Sequence, residues 1–154
     1  MVYFLIKNII IGIDGGSFNF ILPLIRTNTL PNFQKILQNG FKGNLNVTTP
    51  PVTVPSWPCL FSGLSVEELG IDRFYRSSFG IFSSSYWASK SIFSVKGLRS
   101  FCLNIPSSYP AWNIEGEMIT GMISPNINKK MVYPEHVFDL IRNDWIIDGT
   151  SIDE

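Results

Sequence analysis

The segment "KNIIIGID", residues 7–14, constrains this chain more than any other. It is an unbroken run of β-branched residues closed by Asp14-Gly15-Gly16. An alternating run would mean a strand with one wet face. An unbroken one predicts a strand buried on both faces, as in a parallel sheet. The next stretch, "SFNFILPLIRTNTLPNFQKILQNG", has helical spacing at Phe18, Ile21, Leu22 and Ile25, and again at Phe33, Ile36 and Leu37. Pro31 suits a helix first turn and Gly40 a helix C-cap.

"FKGNLNVTT" alternates and predicts a second strand. "TTPPVTVPSWPCLFSGL", residues 48–64, reads as a proline-rich turn running into a short helix. Residues 85–96 are read as a helix and "RSFCLNIP" as a strand ending at Pro106. "IEGEMITGMISP" reads as a strand or loop pair. "YPEHVFDLIRND" reads as a helix opened by Pro134, with apolar residues at Val137, Phe138 and Ile141. Strands alternating with helices predict an α/β fold, a mostly parallel sheet flanked by helices. Ligands gather at the C-terminal strand ends of such sheets. Asp14, at the end of the first strand, and Thr53, shortly after the second, would face one crevice.

The 154 residues make one ordinary domain, and a 45% hydrophobic content is enough for a core. Twelve basic residues balance twelve acidic ones. That balance argues against a nucleic-acid-binding role, which needs clustered Lys and Arg. No run reaches the roughly 20 apolar residues of a membrane span, and the N-terminus lacks the pattern of a signal peptide. Cys59 and Cys102 are isolated, which predicts reduced thiols and a cytoplasmic setting. The single histidine, His136, limits any imidazole-based site.

Asp14 is a candidate metal ligand or acid/base group, or else the first residue of an Asp-Gly turn. "GIDGG" lacks the spacing of a dinucleotide-binding loop. Thr53 is a candidate nucleophile at the positive end of a helix dipole, or else an N-cap with Pro55 in the first turn. Ser56 and Thr49 compete for both roles. Trp57 and Phe61 are expected in the core, Asp72 and Arg73 in a solvated loop, and His136 on a helix surface.

Residues 9–75, from "IIIGIDGG" through "PPVTVPSWPCLFSGL" to "GIDRFY", resemble the alkaline phosphatase superfamily, in its type I phosphodiesterase/nucleotide pyrophosphatase-like branch. The matching residues are Gly12, Asp14 and Gly15, then Pro31-Asn32, then Pro50, Thr53, Pro55 and Trp57, then Ser62-Gly63-Leu64 and Gly70-Ile71. "CLNIPSSYPAWNIEGEMITGMISP" and "YPEHVFDLI" extend the likeness along nearly the whole chain.

The resemblance implies a metal-dependent phosphohydrolase or phosphodiesterase that acts on a phosphoester through a Thr phospho-enzyme. It implies two divalent metal ions, commonly zinc. Thr53 would be the nucleophile, and Asp14 and Thr53 ligands of one metal. Leu69 stands where the branch has a histidine before Gly-Ile, and Ser62 where it has a threonine. The branch's remaining Asp and His ligands belong to an Asp-His-Gly motif and its surroundings, which these residues do not include. The expectation is therefore the N-terminal portion of one catalytic domain, truncated or split, with an exposed sheet edge that favours association. The alternative is a catalytically silent fragment or interaction subunit that needs a separate C-terminal half.

Overall fold

A computed structural model of the chain describes residues 8–71, 75–76, 80–81 and 83–146. It divides into two units, Met1–Leu45 and Asn46–Glu154. In the first, the two predicted helices form: α1 (Phe18–Arg26) and α2 (Pro31–Asn39). The Ser17 hydroxyl accepts the Asn19 N–H at 3.2 Å and caps α1. Pro31 opens α2 and Gly40 is its C-cap, in extended backbone. The Lys42 ammonium lies 5.6 Å above the Phe18 ring.

The two predicted strands are corrected. Residues 8–13 and 41–48 have no regular structure. Ile9, Ile10, Ile11 and Ile13 are exposed, Ile11 to 79%. Phe41, Leu45 and Val47 are exposed as well. A β-branched run favours extended backbone, but only a partner's N–H and C=O groups turn it into a strand. Among the described residues no ladder pairs either segment.

In the second unit, α3 (Thr53–Ser62) is the predicted short helix. Its N-cap is Val52, so Thr53 is the first helical residue and not the cap. The Gly63 N–H closes α3 on the Cys59 carbonyl at 2.9 Å. Next comes α4 (Val66–Leu69), held by a capping box. The Glu68 N–H bonds the Ser65 hydroxyl at 3.2 Å, and the Ser65 N–H bonds the Glu68 carboxylate at 2.8 Å. Strands β1 (Tyr75–Arg76) and β2 (Gly80–Ile81) pair antiparallel. Asp72 and Arg73 lie outside the described residues.

Residues 85–96 are three 3-10 turns and not one helix: Ser84–Tyr86, Ala88–Lys90 and Ile92–Ser94. The Ser91 hydroxyl takes the Phe93 N–H at 3.1 Å, and Ser83 likewise takes that of Ser85. Serine side chains thus compete for the donors a longer helix would use.

Strands β3 (Ser100–Ile105), β4 (Gly116–Thr120) and β5 (Val132–Tyr133) form a sheet in the order β3-β4-β5. β3 and β4 are parallel and β5 is antiparallel to β4, so this small sheet is mixed. Trp87 is fully buried beside it. Its indole N–H donates to the Ser107 carbonyl at 2.9 Å, and its ring meets Trp112 edge-on at 5.1 Å. Phe61 and Phe93 pack at 4.7 Å in the same cluster, with Met118, Cys102 and Val54 buried around them. Trp57 is half-buried against it, so the expected core role of this pair holds. A second cluster joins Ile119, Met131, Val132 and Val137. The predicted C-terminal helix is shorter than its pattern: a 3-10 turn, Glu135–Val137, leads into the single turn α5 (Phe138–Ile141).

Gly116 has φ +140°, and a Cβ there would lie 1.9 Å from the Ser100 carbonyl oxygen. Gly43 has open space around it. Gly116→Ala is expected to destabilise the protein by well over about 1 kcal/mol, and Gly43→Ala to leave it near the parent, in urea unfolding.

The bonds from Ser65, backbone first, hold the Glu68 carboxyl below its usual range. A depressed carboxylate contributes stability above its unfolded pKa and loses it as pH falls through the lowered folded value. Ser65→Ala should lower stability by about 0.5–2 kcal/mol at neutral pH. The gap from the parent should narrow as pH is taken down through the carboxylate range.

Candidate active site

Thr53 opens α3, half-buried, between half-buried Val52 and buried Val54. Pro55 lies in the first turn, as its spacing predicts. The first helical bond runs from the Ser56 N–H to the Val52 carbonyl at 3.2 Å. The N-cap side chain, Val52, makes no capping bond. The cap residue is therefore apolar, and Thr53 is the first residue at the positive end of the helix dipole.

The two competing hydroxyls separate. Thr49 is exposed on the loop. The Ser56 hydroxyl donates to the Val52 carbonyl at 2.7 Å and lies 2.8 Å from the Thr48 hydroxyl. Thr48 in turn donates to the Pro50 carbonyl at 2.9 Å. Ser56 is thus part of a bonded chain, which suits structure better than attack.

Asp14 lies in the first unit and Thr53 in the second. Asp14 is exposed, in a turn closed by the Gly16 N–H on the Ile13 carbonyl at 3.1 Å. Gly15 takes φ +65° there, a conformation glycine adopts without strain. The Asp-Gly turn read from the sequence is therefore present.

Three features escaped the sequence reading. The capping box at Ser65 and Glu68 carries a recognisable signal, Ser-x-x-Glu. Thr48 carries only a weak one, a hydroxyl placed before a Pro-Pro pair. The third is a buried hydroxyl group at the ends of β3 and β4, where Ser124 bonds the Gly121 carbonyl at 2.7 Å and lies 2.8 Å from the Thr120 hydroxyl.

Residues 8–151 match the family described as Type I phosphodiesterase / nucleotide pyrophosphatase. The chain belongs to this family. No curated protein and no solved structure matches it significantly. Both Asp14 and Thr53 lie within the part of this phosphodiesterase-family chain that matches.

The family works with divalent metal ions. Among the described residues, no three His, Cys, Asp or Glu side chains come together in a group that could hold one. The other candidate donors are spread over the surface. His136 and Asp144 are exposed. Asp139 lies 3.7 Å from Arg142, and Glu135 pairs with Lys129, raising the lysine's pKa. These residues alone do not make a complete metal site. Among the described residues, no helix is long and apolar enough to cross a membrane.

Neither cysteine is in a disulfide. Burial pushes the Cys102 thiol up to about 12 from 9.0. Burial also raises Cys59, and the Glu67 and Glu68 charges add to it. Both shifts disfavour thiolate and so disfavour a cysteine nucleophile. Native protein at neutral pH should react slowly with iodoacetamide, at half-buried Cys59 first and at Cys102 only after unfolding. A folded pKa above the unfolded one gives stability that is complete at low pH and lost as pH rises. For Cys102 that loss should run from 9.0 toward about 12.

Proposed function

We propose that this chain serves a metal-dependent phosphohydrolase of the phosphodiesterase/nucleotide pyrophosphatase kind, with Thr53 as its nucleophile. The observation that carries the reading is the family match across residues 8–151, with Thr53 at the first turn of α3 inside it. The Thr53 oxygen attacks phosphorus, the bond from phosphorus to the leaving oxygen breaks, and a phosphothreonine forms. Water then attacks that phosphorus and restores the threonine. The helix N-terminus favours the negative charge on both oxygen and phosphate.

In this reading Asp14 and Thr53 are ligands contributed by this chain to a two-metal site, with zinc as the expected ion. A site of that kind takes about six protein ligands. The remainder would come from residues beyond the described ones or from a separate C-terminal half. Residues 1–154 are read as the N-terminal portion of one alkaline-phosphatase-like catalytic domain, and two thiols outside any disulfide support a cytoplasmic setting. The scattered carboxylates favour a second reading, a subunit that is silent alone and acts with another chain.

The test is hydrolysis of bis(p-nitrophenyl) phosphate with added zinc and after chelation. Thr53→Ala should lower the rate by about 10²-fold or more, while Thr53→Ser keeps part of it. Metal-dependent hydrolysis that survives Thr53→Ala would overturn the nucleophile assignment. Turnover seen only with a chain bearing further Asp and His residues would favour the second reading.

A further inference from the structure

We propose that Thr48 and Ser56 are positioning residues for Thr53, two hydroxyls that pin the peptide units of the turn presenting it. The inference rests on Thr53 as nucleophile and adds which side chains set its direction.

The reason lies in the prolines. Pro50, Pro51 and Pro55 have no N–H, so the stretch that places Thr53 is short of backbone donors. Hydroxyls replace them. The Pro50 carbonyl accepts the Val52 N–H at 3.0 Å and the Thr48 hydroxyl at 2.9 Å. The Val52 carbonyl accepts the Ser56 N–H at 3.2 Å and the Ser56 hydroxyl at 2.7 Å. Each carbonyl thus takes two bonds, which fill its two lone pairs, and neither peptide can swing without breaking both.

The two hydroxyls also meet each other. Ser56 has one hydroxyl proton, bonded to the Val52 carbonyl. Thr48 likewise has one, bonded to the Pro50 carbonyl, and across the 2.8 Å contact between the two oxygens either can be the donor. The contact ties the loop before the prolines to the first turn of α3. A serine bonding back to the carbonyl four residues earlier is a common local habit. That habit accounts for Ser56 alone. Thr48 comes from outside the helix, so it is the discriminating position.

The experiment compares Thr48→Val, Thr48→Ser, Ser56→Ala and Thr53→Ala with the parent, together with a complementing chain if turnover requires one. Thr48→Val should lower kcat about tenfold and leave KM within about twofold, because misplacement acts on the attack and not on binding. Thr48→Ser should restore the rate, and Ser56→Ala should lower it in the same way as Thr48→Val. Amide hydrogen exchange at Val52 and Ser56 should quicken about tenfold in Thr48→Val, with overall melting little changed.

Unchanged kcat in Thr48→Val, while Thr53→Ala is inactive, overturns the positioning role and leaves Thr53 in place. Faster exchange without a change in kcat also overturns it and makes the pair purely structural. Parent-like turnover in Thr53→Ala, or none in the parent under any pairing, overturns the nucleophile reading itself.

Discussion

The second unit depends on how residues 106–115 are held. They connect β3 to β4, which lie side by side and parallel. Such a crossover ordinarily takes about a dozen or more residues and a helix to cover the sheet. Here the connection is short and irregular, so its carbonyls need partners from elsewhere. Trp87 supplies one at Ser107, and Ser84 supplies two, its N–H to Tyr109 at 2.7 Å and its hydroxyl to Pro110. The Ala111 N–H closes on the Lys130 carbonyl at 2.8 Å, tying the crossover to the 3-10 turn before β5. A chain of serines and 3-10 turns that looks aperiodic in sequence thus does the work a covering helix does in larger parallel sheets.

The helices were legible because their determinants are local. Pro31 at the start of α2, the 3.6-residue spacing in α1 and Gly63 after α3 act within a few residues of themselves. β3 was legible too, as a short apolar run bounded by turn residues, whereas β4 falls in a stretch that reads as a strand or loop pair. The runs at 8–13 and 41–48 were not legible. A strand is a relation between two segments, and Ile9, Ile10 and Ile11 specify only one side of it. The 85–96 region misled for a different reason: Ser83 and Ser91 spend their hydroxyls on backbone donors and break a helical stretch into turns.

The order of motifs nominated Asp14 and Thr53 as candidate residues, and the family match covers the span in which they lie. What surrounds Thr53 was less legible. The N-cap shifted by one residue to Val52, because the helix begins where a carbonyl first accepts an i+4 N–H, here from Ser56. Ser56 changed from a rival of Thr53 to part of its support once its hydroxyl bond to the Val52 carbonyl was in view. Sequence spacing can nominate a hydroxyl, but only hydrogen-bond partners say whether its proton is already committed.

The placement of the indoles has an optical consequence. All four tryptophans, Trp57, Trp87, Trp112 and Trp145, fall within Asn46–Glu154, and Trp87 and Trp112 are in edge contact. Intrinsic emission excited near the red edge of protein absorption therefore reports on the second unit alone. An unfolding curve followed that way has no indole in residues 1–45 to draw on. Far-ultraviolet dichroism, which sees α1 and α2, would register both units, and any divergence between the two signals would measure how tightly their unfolding is coupled.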